Sequence, residues 1–407
     1  MNARKQAWEI LNGVFIDGKY ANLVMRSSLK MLAENDKALV TQIVYGTIRN
    51  YRWLFYQFED LWKREPDYQI RILLAMSVYQ LFFLDKVPDY AIINEAVELA
   101  KTYKNGAFTS LVNALLRAIQ KRGLQDSDRE SIIYSYPDFI VKLLRSQYGN
   151  QLTTAFMKAG NQNAQVTMSA NTIKTTTRDL LKDEAFSCDS SGMLKYDGDV
   201  FSSRYFKEGE VLIQDYSASQ VVKLLAPKPG NTVLDICAAP GTKTAQMAGM
   251  MNNTGKITAV DIHEHRVRLL DEAMEKLGVK IVESLVKDGR QAAQCFTADS
   301  FDRILFDAPC SGLGVLKQKP EIKLRLKPED FAELILLQRD IFKGIAGLLK
   351  SGGTLCYSTC TLNLNENQKQ VAWFLKEYPN YRLNKNRTIW PNNVHDGFYM
   401  AQLLRYK

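Results

Sequence analysis

The stretch "VLDICAAPGTKTAQMA" (residues 233–248) decides the fold. An apolar run reaches Asp235, a turn is made through Pro240-Gly241, and a helix-forming segment follows at once. A strand that feeds a helix through so short a turn is the building unit of a parallel sheet covered by helices. Gly241 lets the backbone come close to a ligand, and the start of the helix favours a polar or anionic group there. The turn is not the dinucleotide fingerprint G-x-G-x-x-G.

The same unit repeats downstream. "KITAVDI" predicts a strand, followed by the helix "HRVRLLDEAMEKLG". "KIVESLVKDG" and "FDRILFDAP" predict two more strands, the second followed by the long helix "PEDFAELILLQRDIFKGIAGLLK". "GGTLCYSTC" predicts another, then the helix "NENQKQVAWFLKEYP", and "GFYMAQLLRY" alternates as a terminal strand. Asp235, Asp261, Asp288 and Asp307 each fall at or near the carboxyl end of a successive strand, the edge where open α/β sheets bind ligands. Asp261 comes 20 residues after Gly241, a place that suits a ribose diol. Asp288 stands where an adenine edge would lie.

Upstream the texture changes. Residues 1–130 read as helices, a bundle of five to seven. "RKQAWEILNGVF" sets Ala7, Ile10, Leu11 and Val14 on one face, Asn35 or Asp36 reads as the cap of a second helix, and "FTSLVNALLRAIQKRG" ends at a glycine stop. "PDFIVKLLRSQYG" starts a further helix at Pro137. Residues 131–210 read as a connector with a small α+β subdomain, in which "GMLKYDGDVFSS" has the look of a hairpin. Residues 211–407 form the α/β domain.

Composition sets the class. With 407 residues the chain exceeds one ordinary domain, and 46% apolar with 24% charged residues describes a globular protein with real cores. The net charge of +9 is spread along the chain and fits either a nucleic-acid partner or a mildly basic enzyme. The longest apolar run, "ILLAMSVYQLFFL", is too short to cross a bilayer and reads as a buried helix. Six cysteines without a C-x-x-C pair, and three scattered histidines, give no zinc spacing and no disulfide framework. The expectation is a cytoplasmic protein with no metal.

Two of the cysteines follow strands. Cys310 closes "FDAPC" and Cys360 closes "YSTC". Cys356 lies inside its strand and reads as core; Cys188 and Cys295 read as structural; Cys237 lies in the ligand turn. If the ligand is S-adenosylmethionine and the target is carbon 5 of a pyrimidine, a thiol is required. Carbon 5 is a weak nucleophile until a thiolate adds to carbon 6 and turns the ring into an enamine. A free thiol is only a few per cent ionised at neutral pH, so a neighbour must favour the thiolate. Asp307 is placed to address the nitrogen 3 side of the ring, and the second thiol to assist loss of the carbon 5 proton. Spacing alone does not say which thiol attacks.

"LDICAAPGTKT", "AVDIHEHR", "KDGR", "FDRILFDAPCSGLGVLKQKPEIK" and "YSTCTLNLNENQKQV", in this order, resemble the RsmB/Sun family of bacterial 16S rRNA cytosine-5 methyltransferases. The resemblance runs through nearly all of residues 210–407. "AWEILNGVF", "IVYGTIRNYRWL", "PDYAIINEAVELAK" and "LVNALLRAI" are similar to the NusB-like RNA-binding domain that precedes the catalytic domain in that family. The resemblance implies a multidomain chain: an all-α NusB-like bundle, a small α+β connector and a Rossmann-like methyltransferase domain. It implies Cys360 as the nucleophile and Cys310 as the residue that helps break down the covalent adduct. It implies an S-adenosylmethionine loop of Cys237, Ala238, Ala239, Pro240, Gly241, Thr242 and Lys243, with Asp261, Asp288 and Asp307 as further cofactor contacts; Asp307 also faces the cytosine. The family usually reads Gly-Gly-Lys in the loop, whereas this chain reads Gly241-Thr242-Lys243.

"LKQKPEIKLRLKP" (316–328) carries Lys317, Lys319, Lys323, Arg325 and Lys327 beside the thiols, a segment expected to meet RNA phosphates. "RNYRWLFY" (49–56) interleaves Arg49 and Arg52 with aromatic residues and reads equally as stacking surface or core. "NRTIW" near 386–390 reads as a surface turn. The expected partner is 16S rRNA with an unpaired or flipped cytosine, before full subunit assembly, and the expected state is a monomer. The competing readings are the same chemistry on tRNA or another RNA, a small-molecule methyltransferase, and a non-catalytic RNA-binding assembly factor.

Overall fold

The structure, a computed structural model, describes residues 2–29 and 32–406. The chain divides into two compact units: residues 1–162 together with 316–326, and residues 163–315 together with 327–407. The boundary at 162 falls inside the stretch expected as a connector.

The first unit is helical. Its first part has seven α-helices, Ala3–Phe15, Ala21–Ser28, Glu34–Arg49, Tyr51–Tyr56, Tyr68–Phe83, Asp89–Thr102 and Thr109–Arg122, among the described residues. Ala7, Ile10, Leu11 and Val14 are buried on one face of the first, as their spacing predicts, and Asn2 caps it by accepting from Arg4 and Lys5 backbone N–H groups. The third helix begins at Glu34 with Ala33 as its cap residue, so the expected cap at Asn35 or Asp36 is displaced into the first turn. Glu34 and Asp36 there complement the helix dipole instead. The apolar run expected as a buried helix is one: every residue from Ile72 to Gln80 in the Tyr68–Phe83 helix is buried. The seventh helix stops at Gly123 with φ 78°. A last helix, Asp138–Gly160, is broken at Gly149, where φ is 75°. No helix among the described residues is long and apolar enough to cross a membrane.

The second unit opens with a four-stranded antiparallel sheet of β1 (Met168–Ala170), β2 (Phe186–Cys188), β3 (Leu194–Tyr196) and β4 (Val211–Ile213), in the order β2-β3-β1-β4. The hairpin lies at 186–196, earlier than expected, because Asp189 accepts from the backbone N–H groups of Ser191 and Met193 and turns the chain there. The stretch after Tyr196 forms a short 3₁₀ turn. Cys188 and Cys295, read as structural, are both exposed.

The main sheet contains β5 (Thr232–Ile236), β6 (Lys256–Asp261), β7 (Val282–Val286), β8 (Phe301–Asp307), β9 (Leu349–Thr359), β10 (Tyr381–Ile389) and β11 (Phe398–Arg405), in the order β10-β11-β9-β8-β5-β6-β7. The five strands from β9 to β7 are mutually parallel, and β11 and β10 close one side in antiparallel pairing. Helices join the parallel strands, only a short one between β7 and β8, and the apolar side chains form cores, one built on Phe306, Phe342, Tyr357 and Phe374, another on Val221, Val233, Met247 and Cys356. Residues 386–390, read as a turn, mostly belong to β10. That strand is the sheet edge: Arg382 to Arg387 are all exposed, so no apolar alternation marks it.

Candidate active site

Parallel pairing of β8 with β9 sets Asp307 opposite Ser358, so Cys310 and Cys360 leave adjacent strands at the same edge. Their sulfur atoms are 3.3 Å apart. The hydrogen bond to Cys360 and then burial push the Cys310 thiol well above its ordinary range, so Cys310 keeps its proton. Ser358 Oγ donates to Asp307 Oδ1 at 2.6 Å, and Lys243 Nζ reaches Asp307 Oδ2 at 2.7 Å. Burial alone would lower the lysine, but Asp307, with Cys360 and Asp235 behind it, holds its ammonium above the usual value. The cation also lies 5.4 Å from the centre of the Phe398 ring. One fixed positive charge thus faces the Cys360 side of the thiol pair.

A polar brace beneath the thiols had no role in the sequence reading. Glu366 is fully buried and accepts from the Ser311 backbone N–H, at 2.8 Å, and from the Ser311 hydroxyl, at 2.6 Å. Asn363 Nδ2 and Gln338 Nε2 donate to the same carboxylate. Gln338 also donates to the Pro309 carbonyl, and Tyr357 Oη donates to the Glu366 carbonyl. Asn367 accepts from Thr359 and donates to the Thr361 carbonyl. Burial raises the Glu366 carboxyl above its usual range, against the pull of the Ser311 bonds. The run "NLNENQ" after Cys360 carried the signal: so many polar residues beside a buried strand end need internal partners.

The turn after β5 is tightly bound. Cys237 adopts φ 65°, the Ala238 N–H donates to the Val260 carbonyl, and Gly241, at φ 98°, starts the Thr242–Met250 helix. A Cβ at Gly241 would stand 3.0–3.1 Å from Met274 and Leu270, so a larger residue is opposed by both backbone and packing. Ala238 and Ala239 are buried against the same helix as Leu270, whereas Pro240 is exposed. Burial raises the Cys237 thiol strongly. Asp235, under the turn, accepts from the Thr244 hydroxyl at 2.6 Å, and burial lifts its carboxyl to about 7.

The residues fit S-adenosylmethionine. No side chain caps the helix that begins at Thr242, so its first N–H groups are open to a carboxylate. Asp261, at the end of β6, is 3% exposed, and its Oδ2 accepts no hydrogen bond, although Arg266 stands 3.3 Å away. An unused acceptor at that strand end suits a ribose hydroxyl. Asp288 lies beyond β7 with its carboxylate already engaged by Arg290, whose bonds hold it below the usual range. The structure brings Asp307, Lys243, Cys310 and Cys360 together, while Gly289, the residue after Asp288, packs against Ile236 at the end of β5.

The basic segment is not the surface its composition suggests. Residues 316–326 belong to the helical unit. Lys323 is 1% exposed; its ammonium donates to the Arg49 carbonyl and Asn161 Oδ1 and lies over the Tyr136 ring. Burial lowers it well below the usual lysine range. Leu324 packs on the helical core, and Arg325 stacks on Tyr20. Lys317 is buried as well. Of the five cations expected to meet phosphate, Lys319 and Lys327 stand exposed. In "RNYRWLFY" the core prevails: Arg49, Leu54 and Phe55 are buried, and Arg52 pairs with Asp138.

Comparison with known proteins agrees with this architecture. Residues 222–404 match the family model described as 16S rRNA methyltransferase RsmB/F, and residues 1–121 match the NusB family. A Bacillus subtilis (strain 168) protein named "Probable ribosomal RNA small subunit methyltransferase B" is 37% identical over 383 residues, 89% of this chain and 85% of that protein. The ribosomal RNA small subunit methyltransferase B of Citrobacter koseri is 31% identical over 430 residues, 99% of each chain. Among solved structures, the one titled "Crystal Structure of PH0851" superposes with a TM-score of 0.85 at 25% identity, covering 100% of this chain and 99% of its own. A methyltransferase homolog protein from Pyrococcus horikoshii covers 68% of this chain and 97% of its own, with a TM-score of 0.61 and 25% identity. A mainly parallel sheet and a leading NusB domain thus occur in one chain, which belongs to the RsmB/F family of 16S rRNA methyltransferases.

Proposed function

We propose that this protein methylates carbon 5 of a cytosine in 16S rRNA through a covalent bond between Cys360 and the base. The observation that carries the reading is the thiol pair: two sulfurs 3.3 Å apart, one kept protonated and the other facing the Lys243 ammonium. A methyltransferase acting on oxygen or on an exocyclic nitrogen has no use for such a pair.

Cys360 adds to carbon 6 as the thiolate, forming the sulfur–carbon bond. The electron pair displaced from the 5,6 double bond is neutralised by a proton delivered at nitrogen 3 from the Asp307–Lys243 pair. Carbon 5 is now enamine-like and nucleophilic. When bound, S-adenosylmethionine supplies the electrophilic methyl group that carbon 5 takes; Cys237 to Lys243, Asp261, Asp288 and Asp307 are the residues assigned to hold it. Cys310, once it has released its own proton to solvent, then removes the carbon 5 proton as the thiolate. Its thiol is raised first of all by Cys360, so tying up Cys360 in the adduct removes the largest obstacle to its ionisation. The 5,6 double bond re-forms, the carbon–sulfur bond breaks, Cys360 leaves as the thiolate, and nitrogen 3 returns its proton to the Asp307–Lys243 pair.

The target must be unpaired or flipped, since the edge attacked is stacked in a duplex. The N-terminal NusB domain is assigned to hold the RNA, together with the exposed Lys319 of the helical unit and Lys327 of the second unit, in the bacterial cytoplasm, with the protein acting as a monomer. Mapping 5-methylcytosine in total RNA from cells with and without the protein tests the reading. One cytosine of 16S rRNA should lose its methyl group when the protein is absent; an unchanged 16S rRNA map, or a lost mark in tRNA alone, would overturn it.

A further inference from the structure

The edge strand β10 and the Tyr216–Leu225 helix enclose a groove of about 430 Å³ on the second unit, lined by Gln220, Lys223, Leu224, Lys385, Arg387 and Met400 among others. Three cations from two separate elements converge there. No acid occurs in residues 216–230 or 378–395, which Asp215 and Asp396 flank, while Lys223, Lys228, Arg382, Lys385 and Arg387 all lie within them. Among the described residues, Lys223, Lys385 and Arg387 have no ion-pair partner.

The register ties this groove to the reacting thiols. Arg387 pairs with Met400, and Met400 with Ser358, whose hydroxyl holds Asp307. Lys385 pairs with Gln402, and Gln402 with Cys356. Neighbouring strands lie about 4.8 Å apart, so the Arg387 backbone is roughly 10 Å from that of Ser358. β10 runs parallel to β9, so the row from Arg387 to Lys385 leads away from the strand end that carries Cys360.

We propose that this groove binds the phosphate backbone of the nucleotides flanking the target base, a second RNA contact apart from the helical unit. The inference rests on the reading of RNA as substrate. Charge complementarity selects the occupant: unpaired cations in a groove match a polyanion, and single-stranded RNA offers phosphates at every step away from the reacting base. Cations on an edge strand also oppose edge-to-edge pairing of two sheets. Lys223 sits on a helix and has no part in that role, yet it faces the same groove.

The test compares three forms of the full chain on an unmodified 16S rRNA transcript: wild type, the triple variant Lys223→Gln/Lys385→Gln/Arg387→Gln, and a control that removes the exposed cations Lys182, Lys256 and Arg268. Dissociation constants are measured across a salt series. The groove variant should bind about tenfold more weakly and lose about two from the log–log salt slope, as expected for three lost phosphate contacts on a single strand. The control should keep its slope within about half of that change, and both variants should bind S-adenosylmethionine as wild type does. A groove variant with wild-type slope and affinity overturns the inference, and if that variant also self-associates, edge protection is the role of these cations. A wild type that neither binds nor methylates the transcript overturns the function reading itself, which the variants' relative behaviour does not imitate.

Discussion

Ser311 gives both its backbone N–H and its hydroxyl to the carboxylate of Glu366, and so locks the residue after Cys310 to the loop that follows Cys360. The thiol separation of 3.3 Å is supported by that lock, by the pairing of β8 with β9 and by the Gly314 N–H, which donates to the Cys360 carbonyl. A buried carboxylate that accepts from Ser311, Asn363 and Gln338 at once holds position better than a flexible loop contact.

Glu366→Gln replaces an acceptor oxygen with a donor that faces other donors. The buried Ser311 N–H or Gln338 amide then loses its partner, at a cost of about 1–3 kcal/mol in stability. Activity should fall about a hundredfold while S-adenosylmethionine affinity stays near that of wild type, and the ratio of Cys310 to Cys360 alkylation by iodoacetamide should change. An unchanged alkylation ratio would limit Glu366 to stability.

Lys243→Met removes the cation beside the thiols. Cys360 should then be alkylated about tenfold more slowly at pH 7, with its rate recovering at higher pH, because an adjacent positive charge favours the thiolate. A pH–rate curve superimposable on that of wild type would show that the ammonium does not act on Cys360.

Asp235 gives a pH signature. Its carboxyl titrates at about 7 in the folded protein because burial disfavours the charge, against about 4 in an unfolded chain. Between those values the folded state holds a proton the unfolded state has lost, so the stability this group contributes is full below about pH 4 and is lost as pH rises through 7. Asp235→Asn fixes the uncharged form. Urea unfolding at pH 5 and pH 8 should show the variant gaining on wild type by about 2–3 kcal/mol across that range. A pH-independent difference would contradict the assignment.

Lys323 separates packing from RNA contact. Lys323→Met leaves the Arg49 carbonyl and Asn161 Oδ1 without their donor, and should lower stability by about 1–3 kcal/mol. The salt slope of RNA binding should not move. The exposed Lys319→Gln should instead reduce that slope by about one.

The sequence made the parallel sheet legible because each strand is a short apolar run that ends in a turn, with an acid at or near the end of four of the five. Asp235, Asp261, Asp307, Cys310 and Cys360 could all be placed at one edge from that pattern alone. β10 was illegible for the opposite reason. Its exposed middle, Arg382 to Arg387, carries none of the alternation that burial imposes, and pairing with β11 supplies its order. Lys323 misleads by residue type: a lysine in a basic run reads as surface, and only tertiary contact with Arg49 and Tyr136 turns it inward. Glu366 was visible in the polar run after Cys360, yet its partners Ser311 and Gln338 are 55 and 28 residues away.

The central claim is a bond between Cys360 and the target cytosine. Cys310→Ala, incubated with S-adenosylmethionine and unmodified 16S rRNA, should accumulate a protein–RNA adduct that survives denaturing electrophoresis. Peptide mass spectrometry should place the nucleotide on Cys360, and Cys310→Ala/Cys360→Ala should give no adduct. An adduct carried by another residue, or full methylation by Cys360→Ala, would contradict the account.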